Sequence, residues 1–108
     1  MKLIIGGAYQ GKTEYAREQY VGMDIVTEFH LKVLDMVKDG VDAVEKVKSS
    51  LPEYADKIIV CDDISCGVVP VDAVMRKWRE ELGRVLAILS RESDEVVRLF
   101  CGIPTRLK

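Results

Sequence analysis

The chain has 108 residues, 48% of them hydrophobic, and a formal net charge of -2. That is enough apolar material for one core, so a single domain spanning residues 1–108 is expected, and the interspersed charges exclude the basic footprint of a nucleic-acid binder. Three cysteines without a Cys-x-x-Cys pair and a lone histidine argue against a disulfide framework or a metal cluster.

In chain order, the first element is a short apolar strand, about Lys2 to Ile5. It runs into Gly6-Gly7-Ala8-Tyr9-Gln10-Gly11-Lys12-Thr13, which fits the phosphate-binding loop pattern Gly-x-x-x-x-Gly-Lys-Ser/Thr. A helical stretch free of Gly and Pro follows, from Lys12 to Tyr20, and Gly22 stops it. Strand, glycine loop and helix N-terminus together make an anion cradle: Gly6, Gly7 and Gly11 permit backbone angles that a Cβ would forbid, and the loop amides converge at the positive end of the helix dipole. In this reading Lys12 reaches the β- and γ-phosphates of a nucleoside triphosphate, and the Thr13 hydroxyl holds Mg²⁺.

Asp24 to Thr27 reads as a second strand, and Glu28 to Lys38 as a helix with Val33, Leu34 and Val37 on one face. Asp39-Gly40 stops it, and a further helix runs from Val41 to Ser50 with Val44, Val47 and Leu51 aligned. Lys57 to Cys61 has the composition of a strand buried on both faces, and it ends in Asp62-Asp63. An apolar strand running into Asp downstream of a phosphate loop places a carboxylate where it can hold Mg²⁺, with Asp62 the better positioned and Asp63 either sharing the task or capping the next turn. Cys61 and Cys101 sit in apolar runs and are expected to be buried.

Ile64 to Val71 is expected to be a loop containing Gly67 and Pro70, after which Asp72 caps a helix reaching about Glu92. Val74, Trp78, Leu82, Val85 and Leu89 recur at helical spacing, an apolar stripe for the sheet or a partner subunit. Gly83 within that helix points to close packing. Arg76, Arg79 and Arg84 alternate with acidic residues and read as a solvated face, with one arginine aimed at phosphate left open. Asp94 to Cys101 is the last clear strand, and Thr105 to Lys108 forms either an edge strand or a tail. Apolar runs alternating with helical patterns predict an α/β, three-layer fold of the P-loop type, with a mainly parallel sheet of about four strands flanked by helices. No apolar run has membrane-spanning length and the N-terminus has no signal-peptide pattern, so the expected location is cytoplasmic.

Several motifs fall in an order that resembles the adenosylcobinamide kinase/adenosylcobinamide-phosphate guanylyltransferase family. They are Gly67-Val68-Val69-Pro70, Trp78-Arg79, Gly83-Arg84-Val85, Asp94-Glu95-Val96, Gly102-Ile103-Pro104 and the final Leu107-Lys108, together with the glycine loop. The resemblance implies a kinase that phosphorylates a cobinamide hydroxyl from GTP or ATP with Mg²⁺, and then a guanylyl transfer through a histidine, within cobalamin nucleotide-loop assembly. It also implies a homo-oligomer. The departures fall on the guanylyltransferase half: family members are longer between the second strand and the strand ending at Asp62, where their histidine lies. Here the only histidine is His30, which reads as a helix-surface residue. The family's Asn-Glu is Asp62-Asp63, and its Asn-Gln is Leu86-Ala87. Two functions therefore stand at this point: a kinase acting on an alcohol, with Lys12, Asp62 and Asp63 as its working residues, or a non-catalytic nucleotide-binding module for regulation or assembly. No guanine-reading Asn-Lys-x-Asp element distinguishes GTP from ATP.

Overall fold

A parallel strand covered on both faces must be apolar at every position, whereas an edge strand need not be. That distinction orders the sheet. In the computed structural model, which describes residues 1–64 and 71–108, β1 (Lys2–Gly6) is the central strand. It pairs in parallel with β3 (Lys57–Asp62) on one side and β4 (Glu95–Phe100) on the other, with Leu3 opposite Ile59 and Val96. Beyond β3 lies the short β2 (Asp24–Val26), also parallel. Beyond β4 lies β5 (Ile103–Arg106), antiparallel, giving the order β2-β3-β1-β4-β5.

The sheet has five strands where the sequence reading predicted about four. The fifth is the ambiguous C-terminal segment. Cys101 and Gly102 both take left-handed backbone, with φ of 52° and 73°, which is the conformation a two-residue hairpin needs to match the twist of its strands. Pro104 is tolerated because β5 is an edge and all its residues are exposed.

Helices lie on both faces. On one, α1 (Lys12–Gln19) sets Ala16, with Tyr15 and Tyr20 beside it, against Ile4, Ile58, Val60, Val97 and Leu99. On the other, α2 (Phe29–Lys38), α3 (Ala43–Ser50) and α4 (Ala73–Glu92) bury Phe29, Val33, Val47, Leu82, Val85 and Leu89 against Leu3, Ile59 and Cys61. This second core is the larger. Phe29 is fully buried and meets the Tyr54 ring edge-on at 5.7 Å between centroids.

The local signals act as expected in most places. Asp72 caps α4 as expected, accepting from the Met75 N–H, while Asp42, which the sequence reading placed inside a helix from Val41, caps α3 and accepts from the Glu45 N–H. The stripe on α4 faces the sheet through Leu82, Val85 and Leu89, while Trp78 is half-buried and Val74 is exposed at the helix start. Arg84 pairs with Glu81 at 2.9 Å on the solvated side. Two expectations fail, at Cys101 and at Gly83. Cys101 is exposed, because it occupies the hairpin turn and not the strand. The loop with Gly67 and Pro70, and Cys66 with it, lies outside the described residues. Gly83 is not a close-packing site: a Cβ there meets nothing within 4 Å. Gly83→Ala is accordingly expected to stabilise the protein by about 0.8–1 kcal/mol through helix propensity alone, measurable as a higher urea midpoint with unchanged slope.

Candidate functional site

Adjacent parallel strands whose following helices lie on opposite faces leave a crevice beyond their carboxyl ends. β1 is followed by α1 on one face, and the next described helix after β3 is α4 on the other. A cleft of about 590 Å³ lies at the ends of these two strands and is walled by Ala8 to Glu14, Glu28, His30, Val60 and Asp62.

Lys12 dominates its floor. It is the first residue of α1, yet its side chain is only 7% exposed because it folds back across the loop. Its Nζ donates to the carbonyl of Gly7 at 2.5 Å and lies 2.7 Å from Asp62 Oδ1. A buried ammonium needs such partners, since desolvation without them is prohibitive. Asp62 comes into reach because β1 and β3 run in register, with Gly6 opposite Asp62. The ladder continues one step further through Asp63, whose N–H donates to Gly6 O at 2.8 Å. Asp62 therefore lines the cleft, while the backbone of Asp63 extends the sheet.

The glycines of the loop differ in what they do. Gly11, the N-cap of α1, is left-handed with φ of 81°. Gly6 is needed for proximity: a Cβ there would stand 2.5 Å from the Leu99 carbonyl oxygen of β4. Gly7 has neither constraint, since a Cβ would lie 3.8 Å from Gln10 Cγ in ordinary contact; the expectation that all three need forbidden angles is corrected at this position. Tyr9 takes the other left-handed position, φ 59°, with its ring fully in solvent. The Gln10 side-chain oxygen accepts from the N–H of Cys101, tying the loop to the β4–β5 turn.

His30 contradicts the reading as a helix-surface residue. It stands in the first turn of α2, its side chain is 11% exposed, and it lines the cleft. The Asp62 N–H donates to Nδ1 at 3.2 Å and Asp62 Oδ2 lies 3.5 Å from Nε2. The Cys61 thiol below is pushed up to about 12, by burial first and then by the carboxylates of Asp62 and Asp63, so it stays protonated and unreactive at neutral pH.

A family model described as cobinamide kinase / cobinamide phosphate guanyltransferase matches residues 19–107. The chain belongs to this family. No curated protein matches the chain. The matched span of this cobinamide kinase relative starts beyond the glycine loop at residues 6–13, so the loop and the family membership are separate observations.

Within the matched span, the family-like Asp94-Glu95 pair sits at the start of β4, at the opposite end of the sheet from the cleft. The Asp94 N–H donates to Met1 O at 2.8 Å. Glu95 accepts from the Tyr20 hydroxyl and lies 3.8 Å from Lys2 Nζ. Burial, and then Glu95, push the Tyr20 hydroxyl pKa up. These are tethers between β1, α1 and β4. The cleft gathers Ala8 to Thr13 and Asp62, which the sequence reading grouped, and also Glu14, Glu28 and His30, which that reading left out of the site. The available signal for His30 was its position, immediately after a strand and at the start of a helix, where side chains face the carboxyl end of the sheet. No described helix is long and apolar enough to cross a membrane.

Proposed function

We propose that the chain binds a magnesium complex of GTP or ATP in the cleft and transfers the γ-phosphoryl group to an alcohol, as a cobinamide kinase-type phosphotransferase of cobalamin biosynthesis. One observation carries this reading: a nearly buried lysine ammonium, held between a loop carbonyl and a strand-end carboxylate at the mouth of two parallel strands. An ammonium so placed has its charge aimed at a polyanion, and the loop amides and α1 N-terminus add to the same field. Family membership supplies the substrate class.

The donor set fits magnesium. Thr13 and Asp62 line one cleft and offer hard oxygen donors. Mg²⁺ is suited to such a site, because it takes one or two protein oxygens and fills its octahedron with phosphate and water. Bound there, it would supply neutralisation of charge on the β- and γ-phosphates. The chain's own contribution is positioning. Lys12 exchanges Asp62 for phosphate oxygens, and the loop backbone holds the triphosphate in line. The acceptor oxygen bonds to the γ-phosphorus as the bridge to the β-phosphate breaks, the nucleoside diphosphate departs, and the alcohol proton leaves on the open side of the cleft, where Glu14 and Glu28 supply carboxylates.

We assign His30 no role as a guanylyl acceptor. The lone pair of Nδ1 is taken by the Asp62 N–H, which puts the ring proton of the neutral form on Nε2, facing Asp62 Oδ2. Neither nitrogen then presents a free lone pair to a phosphorus atom.

The test is turnover of γ-labelled GTP and ATP by the full chain, with and without cobinamide. Cobinamide-dependent appearance of labelled cobinamide phosphate is the expected result. Tight triphosphate binding without transfer would replace this reading with that of a non-catalytic nucleotide-binding module.

A further inference from the structure

Phosphoryl transfer as described leaves unexplained why the one histidine of the chain is nearly enclosed beside the Asp62 carboxylate that contacts Lys12. The contacts around His30 are unusually complete. Both ring nitrogens meet the same residue: Nδ1 accepts from the Asp62 N–H at 3.2 Å, and Nε2 stands 3.5 Å from Oδ2. The ring itself is backed by Trp78 of α4, stacked at 6.4 Å between centroids with planes 27° apart. The same indole donates from Nε1 to the His30 carbonyl at 2.7 Å. Trp78 thus holds both the ring and the backbone of His30, across 48 residues of sequence. Before it, Glu28 takes a left-handed backbone, φ 52°, which turns the chain so that α2 starts with His30 over the strand end.

A carboxylate at a strand end has a free χ rotation unless something restrains it, and Asp62 is restrained on both oxygens. Oδ2 faces His30 and Oδ1 faces Lys12. When a triphosphate draws the ammonium away, Oδ2 remains against His30 and Oδ1 is left pointing into the cleft. We propose that His30, locked by Trp78, is a positioning residue that fixes the Asp62 carboxylate for the divalent cation of the bound nucleotide. The inference rests on the nucleotide-binding reading above and assigns a task to His30 within it. Groups behind a metal ligand that orient it in this way typically contribute ten- to a hundredfold to metal affinity.

The experiment is a titration of the full chain with a fluorescent methylanthraniloyl-GTP, with EDTA and with Mg²⁺, for the wild type, His30→Ala, His30→Asn and Trp78→Phe. Circular dichroism checks that each variant is folded. The expected result for His30→Ala is an unchanged affinity in EDTA and a Mg²⁺-dependent gain reduced about tenfold or more. His30→Asn keeps an acceptor near the Nδ1 position for the Asp62 N–H and should recover a large part of that gain. Trp78→Phe keeps a stacking ring without the indole donor and should fall between the two. Retention of the full Mg²⁺ gain in His30→Ala overturns the proposal. So does an equal loss in EDTA and in Mg²⁺, which marks a merely structural role; if His30→Ala is unfolded, His30→Asn and Trp78→Phe decide by the same criterion. A wild type that binds no GTP analogue in either condition overturns the nucleotide reading itself, and this inference with it, and is recognised by its appearance without any mutation.

Discussion

Lys12→Ala is expected to weaken ATP and GTP binding by roughly 10- to 150-fold, the equivalent of about 1.5–3 kcal/mol for a charge-assisted contact. The loss should be confined to the polyphosphate, so isothermal titration with the nucleoside alone should show no change. The fold should survive. The partner left behind, Asp62, keeps 24% side-chain exposure and its contact with His30, so its charge is not stranded. The ion pair also predicts an inversion in the companion variant. In the wild type the Asp62 carboxylate, 2.7 Å away, competes with phosphate for the ammonium. Asp62→Asn removes that competitor, so triphosphate affinity in EDTA should rise while the gain from Mg²⁺ disappears. If Lys12→Ala binds triphosphate as well as the wild type does, the cleft is not a phosphate site.

What could be read from the chain follows the range of the interactions involved. β1 and β3 were visible because a strand buried on both faces leaves an uninterrupted apolar run, and Leu3, Ile4 and Ile58 to Cys61 are all buried. α4 was visible because its stripe persists from Val74 to Leu89 and Asp72 caps it. The loop was visible because its glycines and Lys12 act within eight residues of one another. β5 was half visible: Thr105 to Lys108 reads as an edge strand or a tail, Pro104 weakens the signal, and pairing with β4 makes Ile103–Arg106 the strand. His30 was misjudged for the same reason. Its environment consists of Asp62, 32 residues away, and Trp78, 48 residues away, and no local period encodes that meeting. Cys101 was misplaced by one residue of strand length, enough to turn a buried position into a turn. Gly83 and Gly7 show the limit in the other direction: composition marks them as special, and the space around them does not.

The three glycines of the loop give a graded test, because each is subject to a different constraint. Gly6→Ala should be the most damaging, costing about 3 kcal/mol or more and lowering Tm by over ~12 °C. The added Cβ would stand 2.5 Å from Leu99 O, a backbone atom of a strand already paired on both edges. A side chain could rotate away from such a contact; a strand carbonyl has to carry its neighbours with it. β1 cannot retreat to the other side either, since Gly6 O accepts from Asp63 N–H at 2.8 Å. Any relief must part β1 from β4 or from β3, and the second course separates Lys12 from Asp62. Triphosphate affinity should therefore fall with stability in this variant. Gly11→Ala meets no atom within 4 Å but must hold φ at 81°, a conformational cost of about 1–2 kcal/mol. Gly7→Ala has room and an ordinary φ and should change stability by no more than about 0.5 kcal/mol. Urea melts of the three variants order the constraints directly. Should Gly7→Ala prove the worst of them, the close approach of β1 to β4, and with it the register that brings Asp62 to Lys12, is wrong.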